Sequence, residues 1–431
     1  MRGKRLLAIA SSVAALSLGV AACGDDDDGG GSGDTGGDAG APIDLTVGAL
    51  IPQTGDLSIF APAGEKAAQL AVEEAQAAFD EVAPDSAVDL QIGDTETKPQ
   101  PARQAAEGLI SDGASCLAGA WGSANTIPVG QSVASRQQIP LISPASTSPE
   151  ITDLPDDGYV FRTAPSDALQ GQVLADAVGE EFGTDATISV AGRNDAYGDG
   201  ITSQFASAFE DAGGTINGPV LYDVEASSYD SEAAEITSGD PDGYVIIDFE
   251  DPYGKVGAAL VRTGNFDATK MFTADGLAFD KIPNTIPSDS LDGASGTRPA
   301  TPEDTDTAQA FVDLYKESDL KPKDRNTFDA QNFDAVTLCV LGAVAAGSTD
   351  GADIQAQLQD ISGPPGDKYD FTQLGEAITA LQNGEDIDFD GISGPIDFDD
   401  NGDPTAATYE VFKYNNGSLE VQEQVQKEAG E

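Results

Sequence analysis

The chain has 431 residues, of which 75 are acidic and 21 are basic, and its formal net charge is −54. An excess of acid this large argues against nucleic acid and against anionic lipid surfaces as partners. Histidine is absent, which excludes Ser-His-Asp and Cys-His catalysis and the common zinc triads. These exclusions make a hydrolase a poor candidate but leave a glycosidase that uses carboxylates only; we expect a protein that is not an enzyme and that holds no cofactor and no metal.

The N-terminus has the composition of an export signal. Basic residues are followed by an apolar run that ends at Cys23, which predicts a signal peptide over residues 1–22. The sequence Val-Ala-Ala-Cys resembles the lipobox of bacterial lipoproteins, and this resemblance implies cleavage before Cys23 and a lipid on its sulfur; ordinary signal cleavage is the alternative. Residues 23–43 are rich in Gly and Asp and are predicted to form a flexible tether.

From residue 44 onward, predicted strands alternate with predicted helices. The strands of the first series are DLTVGALIPQ, AVDLQIGDTE, CLAGAWG and IPLISP. The helices between them are GEKAAQLAVEEAQAAF, QPARQAAEGLISDG and NTIPVGQSVASRQ. This alternation indicates βαβ units and a parallel sheet.

A second α/β series begins after residue 162, with the predicted strands ATISVAGRN, PVLYDVEA, DGYVIIDFED and KMFTADG. A helical block and a final hairpin with an Asn-Gly turn follow it. Within the helical block, the run VTLCVLGAVAA is too short to cross a bilayer and is predicted to be a buried helix. The fold class is therefore α/β with two Rossmann-like lobes.

Two cysteines remain in the predicted folded part, Cys116 and Cys339. Outside the cytoplasm an even number suggests a disulfide, but two buried free thiols are an equal alternative.

Small and polar side chains follow the predicted strands at the edge where parallel sheets bind ligands. Some offer hydroxyls and backbone N–H groups suited to a carboxylate, and others offer carboxylates suited to an ammonium. The candidate ligand residues are Phe60, Trp121, Ser123, Ala145, Ser146, Thr147, Tyr197, Glu250 and Asp275. Ser123, Thr147 and Asp275 are also typical helix caps, which is the alternative for each of them. Together they predict a pocket for a zwitterion.

One acidic motif suggests a cation site. The stretch 386–397 matches D-x-D-x-D-G, but its flanks are not helical and its last ligand position is Asp, so we interpret it as an acidic loop before the final hairpin.

Three segments carry a family resemblance: VGALIPQTGDLSIFAPAGEKAAQLAVEE, IPLISPASTSPEIT and YVFRTAPSDALQG. Over residues 44–420 the chain resembles the substrate-binding lipoproteins of ABC importers, in the branched-chain amino-acid (leucine/isoleucine/valine) binding family. The resemblance implies the type I periplasmic-binding fold and an amino-acid ligand held between two lobes.

The resemblance also implies roles for single residues. Ser123, Ala145 and Thr147 would hold the ligand's α-carboxylate, and Tyr197 and Asp275 would lie on the opposite side of the cleft. Asp275 would take the ammonium, although the family more often has Glu there.

Lobe 1 is expected over 44–162 and 293–404, and lobe 2 over 163–292 and 405–431, with three crossovers forming a hinge. The implied partner is an ABC permease at the membrane, where a monomeric chain would be held by its lipid anchor alone. The alternatives are a short amide or urea as ligand, a sensing receptor without transport, and a glycosidase that uses carboxylates only.

Overall fold

The computed structural model describes residues 40–303 and 305–429, so the predicted signal peptide, most of the tether and Cys23 lie outside the described residues. The strands are β1 (Asp44–Ile51), β2 (Ala87–Asp94), β3 (Cys116–Ala118), β4 (Leu141–Ser143), β5 (Val160–Arg162), β6 (Thr187–Arg193), β7 (Thr215–Tyr222), β8 (Gly243–Ile247), β9 (Met271–Thr273), β10 (Ser295–Ala300), β11 (Asp367–Tyr369), β12 (Ile387–Gly391), β13 (Gly394–Pro395), β14 (Ala406–Asn415) and β15 (Ser418–Glu428). The helices are α1 (Ala61–Val82), α2 (Pro99–Ser111), α3 (Ser123–Val129), α4 (Ser135–Gln137), α5 (Asp167–Phe182), α6 (Ala196–Asp211), α7 (Asp230–Ile236), α8 (Glu250–Thr263), α9 (Ser288–Leu291), α10 (Asp306–Glu317), α11 (Asp329–Ala346), α12 (Gly351–Leu358) and α13 (Leu374–Gln382).

The first sheet is parallel and has the order β2-β1-β3-β4-β5. Its inner strand β1, between β2 and β3, is apolar on both faces because helices cover both sides. The helices α1, α11 and α13 bury one face, and α2 and α3 bury the other. This is the parallel sheet that the first series of elements predicted, and it forms the core of lobe 1.

The second sheet has the order β15-β14-β10-β9-β8-β6-β7. The strands β6 to β10 are parallel, and the β14–β15 hairpin adds two antiparallel strands at one edge. Strand β10 lies inside this sheet, between β9 and β14, so lobe 2 extends past 292 to Ala300. The expected start of lobe 1 at 293 is therefore wrong, because β10 pairs with β9 on one side and β14 on the other.

The chain passes between the lobes after β5, after β10 and before β14. Within lobe 1, Cys116 on β3 and Cys339 on α11 are joined by a disulfide. Helix α11 is almost wholly buried, as the run VTLCVLGAVAA predicted. Among the described residues no single helix is long and apolar enough to cross a membrane, although the bent pair α11 and α12 reaches that threshold together.

Candidate functional site

The carboxyl ends of the two sheets face each other across a small cavity. It is lined by Leu57, Phe60, Trp121, Gly122, Ser123, Ala145 and Phe328 from lobe 1 and by Tyr197, Phe249, Asp275 and Gly276 from lobe 2. Its volume is about 20 Å³, which is room for about one water molecule. Since ligand sites for small molecules are at least an order of magnitude larger, entry of an amino acid requires the lobes to move apart.

Ser123 presents a hydroxyl to the cavity from the first turn of α3. Its Oγ accepts a hydrogen bond of 3.2 Å from the backbone N–H of Ser148. Because that contact occupies a lone pair of the oxygen, the hydroxyl proton remains available for donation to a ligand. Ala145 follows β4 and lines the same wall.

Ser146, another predicted ligand residue, does not line the cavity. Its hydroxyl donates to the carbonyl of Trp121 at 2.7 Å and lies 2.7 Å from Oγ1 of Thr126. These contacts hold the loop after β4 against the loop after β3. Thr147 is fully buried beside them and does not line the cavity either, and its Oγ1 has no hydrogen-bond partner by distance and angle among the described residues.

Arg162, at the end of β5, fixes the loop that carries these hydroxyls. Its guanidinium donates to the carbonyls of Ser146 and Ser148, at 3.3 and 2.9 Å, and to both carboxylate oxygens of Asp403, at 2.5 and 2.6 Å. A buried arginine with this many acceptors is satisfied by the protein itself. The loop is therefore rigid before any ligand arrives.

Five of the eleven residues that line the cavity are aromatic. Trp121 has a positive φ of 69° and packs edge-on to Phe328, with ring centroids 6.4 Å apart. Its indole needs Gly64, since a Cβ there would lie 2.4 Å from Cζ2 of Trp121. Across the cleft, Phe60 stacks on Phe279 of lobe 2 at 6.0 Å. The cavity is thus suited to an apolar group.

Asp275, two residues after the end of β9, supplies the carboxylate of the lobe 2 wall. Oδ1 accepts from Nε2 of Gln170 at 2.9 Å, and the Tyr197 hydroxyl adjoins the same carboxyl. Tyr197 also accepts the N–H of Gly276 at 3.1 Å. Burial raises the pKa of Asp275 to about 6, while the bonds from Gln170 and Tyr197 lower it. Near neutral pH the group is therefore a buried anion held by neutral donors.

Glu250 lies outside the cavity. It begins α8, and its carboxylate accepts from the Thr285 hydroxyl at 2.6 Å. The preceding residue, Phe249, lines the cavity instead and stacks on Tyr197 with centroids 5.0 Å apart. The end of β8 therefore does contribute to the cavity, but through Phe249 rather than through the next residue, Glu250.

A second buried carboxylate was not anticipated from the sequence. Asp167 begins α5 and is fully buried between the lobes. Burial and the nearby Asp275 raise its pKa well above the usual range. Its only sequence signal is its position directly after a crossover.

An ionic cluster lies beside Phe249 at the lobe boundary. Arg193, at the end of β6, lies over the Phe249 ring at 3.8 Å and reaches Asp56 of lobe 1 at 3.6 Å. Its other neighbours are Asp195 at 2.6 Å and Asp248 at 3.7 Å. Burial raises the pKa of Asp248 to about 7 in spite of the arginine. This cluster joins the two lobes beside the cavity.

A wider cleft of about 350 Å³ shares Phe328 with the cavity. Its arginines are already paired, Arg298 with Glu410 at 2.8 Å and Arg325 with Asp329 at 2.7 Å. Its arginines therefore already have counterions, whereas the indole Nε1 of Trp121 in the smaller cavity has no hydrogen-bond partner among the described residues, so the smaller cavity is the better candidate site.

No group of three or more potential metal ligands occurs in the described part of the chain. The acidic stretch 386–397 forms β12, β13 and the turns beside them, and the next element is strand β14, so it is not the loop between two helices that an EF-hand requires.

Five of the lining residues were not among the predicted site residues: Leu57, Gly122, Phe249, Gly276 and Phe328. Leu57 and Phe249 follow β1 and β8, so a search of every strand end for apolar residues would have found them. Phe328 comes from the loop before α11, which no strand precedes, and only the tertiary fold brings it to the site.

Comparison with known proteins gives a consistent result. The family model described as "Periplasmic binding protein" matches residues 44–418. "Leu/Ile/Val-binding protein homolog 1" of Brucella abortus is 23% identical over 378 residues, covering 87% of this chain and 91% of that protein. The "Chemotactic signal transduction system substrate-binding protein BasB" of Halobacterium salinarum is 25% identical over 392 residues, covering 89% and 90%.

Among solved structures, the substrate-binding protein of the branched-chain amino acid transporter of Streptococcus pneumoniae, in complex with isoleucine, superposes with a TM-score of 0.71 at 20% identity. The match covers 89% of this chain and all of that one. It shows the fold.

Proposed function

Since the chain belongs to the periplasmic binding protein family, we propose that it is an extracytoplasmic solute-binding protein that captures an amino acid between its lobes and delivers it to an ABC permease. The names of its relatives support a branched-chain or similar amino acid. The chain itself performs no chemistry on the ligand in this proposal.

The observation that carries the proposal is the contrast between the two walls of the cavity. Lobe 1 offers the Ser123 hydroxyl, whose proton is free, with no carboxylate lining that wall. Lobe 2 offers Asp275, a buried anion that forms no ion pair within the described residues. A zwitterion satisfies both walls at once, because its carboxylate faces the hydroxyl and its ammonium faces the anion.

The ligand's side chain would lie against the aromatic rings. The rings that line the cavity are those of Phe60, Trp121, Phe249, Phe328 and Tyr197. Asp275 is the one charged residue in the lining. An apolar side chain gains free energy in such a site, whereas a charged one would lose its hydration without compensation. Apolar amino acids are therefore the preferred class.

Binding would proceed by hinge closure. The lobes separate to admit the ligand and close on it, since only the closed form contacts it from both sides. The predicted lipid on Cys23 would hold a monomeric chain at the outer face of the membrane, near the permease.

Two other candidate functions have support. The similarity to BasB favours a sensing role for the same site, and a gene neighbourhood with permease and ATPase genes would argue for transport. A short amide or urea also fits Asp275, because its neutral N–H groups could donate to the carboxylate as Gln170 does. Asp275 would then only accept hydrogen bonds.

A thermal-shift screen of the full chain tests the proposal, with the twenty amino acids, simple amides and urea as ligands. A ligand that binds the native state alone raises the melting temperature. We expect shifts with apolar amino acids and none with lysine or aspartate. Shifts with amides or urea only would replace the ligand class. No shift, before or after unfolding and refolding to remove any bound ligand, would overturn the proposal.

A further inference from the structure

Trp121 is the only tryptophan of the chain, and its indole N–H is a buried donor. The side chain is almost fully buried and lines the cavity. Its Nε1 has no hydrogen-bond partner in the part of the chain that the structure describes. An indole nitrogen can only donate, and buried donors are rarely left unpaired. The cavity is therefore the place from which an acceptor can reach this N–H.

Contacts on two sides fix the orientation of the indole. A Cβ on Gly64 of α1 would lie 2.4 Å from Cζ2 and 2.7 Å from Cη2 of Trp121, so this edge of the ring rests on the helix backbone. The ring of Phe328 meets the indole edge-on, with centroids 6.4 Å apart. Because the ring is held in this way, its N–H is a donor of fixed direction.

The indole and the Ser123 hydroxyl lie toward opposite sides of β3. In the first sheet β3 is placed between β1 and β4. Trp121 contacts α1, which follows β1, whereas Ser123 accepts the N–H of Ser148 from the loop after β4. Phe60, which directly precedes α1, lines the cavity on the side of the indole. A ligand whose carboxylate lies at Ser123 therefore turns its side chain toward Trp121.

An acceptor inside the protein is the alternative partner for the indole N–H. Asn332 of α11 donates from Nδ2 to the carbonyl of Gly64 at 2.8 Å, which places it beside the glycine that the indole contacts. Its Oδ1 is also without a partner among the described residues, so it does not accept from Nε1. Since a move of the amide toward the indole would break its bond to Gly64, Asn332 leaves the N–H to the ligand.

On the basis of the proposed function, we propose that Trp121 is a specificity-determining residue whose Nε1–H donates to a neutral oxygen on the side chain of the bound amino acid. The lining around the indole is otherwise apolar, with Leu57, Phe60 and Phe328, so the rest of that side chain is apolar too. Threonine, which combines one hydroxyl with one methyl group, has this chemistry. Valine has nearly the same shape but no oxygen, and closure over it would bury the N–H unpaired.

The affinities of the full chain for threonine and valine, measured by calorimetry, test this assignment. We expect threonine to bind roughly tenfold more tightly, as one hydrogen bond to a buried donor implies. Trp121→Phe keeps an aromatic ring and removes the donor, so the two affinities should become equal. Phe60→Leu, the control for lost ring surface in the same cavity, should keep the preference for threonine. Equal affinities in wild type, or a preference that persists in Trp121→Phe, would overturn the proposal.

A second measurement observes the donor itself and needs no variant, so it holds even if Trp121→Phe does not fold. Because the chain has one tryptophan, 15N-labelled protein gives a single indole N–H signal in NMR spectra. Threonine should move this proton signal downfield of its position in the valine complex, since the N–H gains an acceptor. The same position in both complexes would contradict the proposal whichever ligand binds more tightly. Failure of every amino acid to bind would instead overturn the proposed function, and this inference with it.

Discussion

The two walls of the cavity differ in how their polar groups are satisfied. On lobe 1 the hydroxyls are held by the protein: Ser146 bonds to Trp121 and Ser123 to Ser148, and Arg162 fixes the loop behind them. On lobe 2 the carboxylate of Asp275 has only neutral partners. The first wall is a set of oriented dipoles and the second is an uncompensated charge.

This difference indicates which lobe contributes more to ligand affinity. Each fixed hydroxyl dipole adds a modest amount of binding free energy. A buried carboxylate without a counterion contributes more binding free energy when a ligand cation pairs with it. The ligand's ammonium should therefore contribute more binding free energy than its carboxylate. Four substitutions or conditions test this ranking.

The largest effect is expected from Asp275→Ala. Truncating one partner of a buried charge pair costs about 2–5 kcal/mol of binding free energy, measured by calorimetry with the best amino acid from the screen. Glu250→Ala is the matched control, since its carboxylate contacts Thr285 outside the cavity. Equal affinities in the two variants would remove Asp275 from the site.

Ser123→Ala should have a smaller effect, a loss of about 1.5–3 kcal/mol of binding free energy, because it removes one hydrogen bond to a charged group. Ser135→Ala, which removes an exposed hydroxyl bonded to Asp157, is the control. If Ser123→Ala costs more than Asp275→Ala, the ranking of the two walls is reversed.

Acidification should weaken binding through lobe 2 alone. The pKa of Asp275 is about 6, and an ammonium favours the ionised form, so affinity is complete above that pH and is lost as the pH falls through it. One unit below the pKa the loss is about 1.4 kcal/mol. A titration of Kd in wild type and Asp275→Asn measures it, and the loss should be absent in the variant.

The smallest effect is expected from Asp56→Asn. Asp56 is partly exposed and reaches Arg193 of the other lobe at 3.6 Å, and such pairs contribute less than about 1 kcal/mol. Affinity should fall slightly at low salt and recover the wild-type value at high salt. Asp230→Asn, which breaks the surface pair with Arg262 inside lobe 2, should leave affinity unchanged.

The order of most elements could be predicted from the sequence because apolar runs and helical spacing are local signals. Strand β10 could not, because Ser-Gly-Thr-Arg-Pro-Ala has neither an apolar run nor alternation. It becomes a strand only because β9 and β14 pair with it. The lobe boundary was misplaced for the same reason.

A place on the cavity wall could be predicted for side chains that lie within a few residues of a strand end, as at Ser123, Ala145 and Asp275. The lining could not be predicted where it depends on which of two adjacent side chains points toward the cavity. Glu250 and Phe249 are adjacent in the chain, and only the start of α8 determines which of them faces the cavity. Ser146 and Thr147 are also adjacent, yet the Ser146 hydroxyl is bonded to Trp121 across the loop, whereas Thr147 Oγ1 has no hydrogen-bond partner among the described residues.

The pair formed by Arg162 and Asp403 has a consequence for motion. Arg162 directly precedes the first crossover and Asp403 the last, and the backbone N–H of Arg162 also donates to the carbonyl of Gly402 at 3.0 Å. The same guanidinium holds the carbonyls of the loop after β4. The pivot of the hinge and the loop beside the cavity are thus one rigid piece, so lobe 2 rotates about a hinge to which that loop is already fixed by hydrogen bonds.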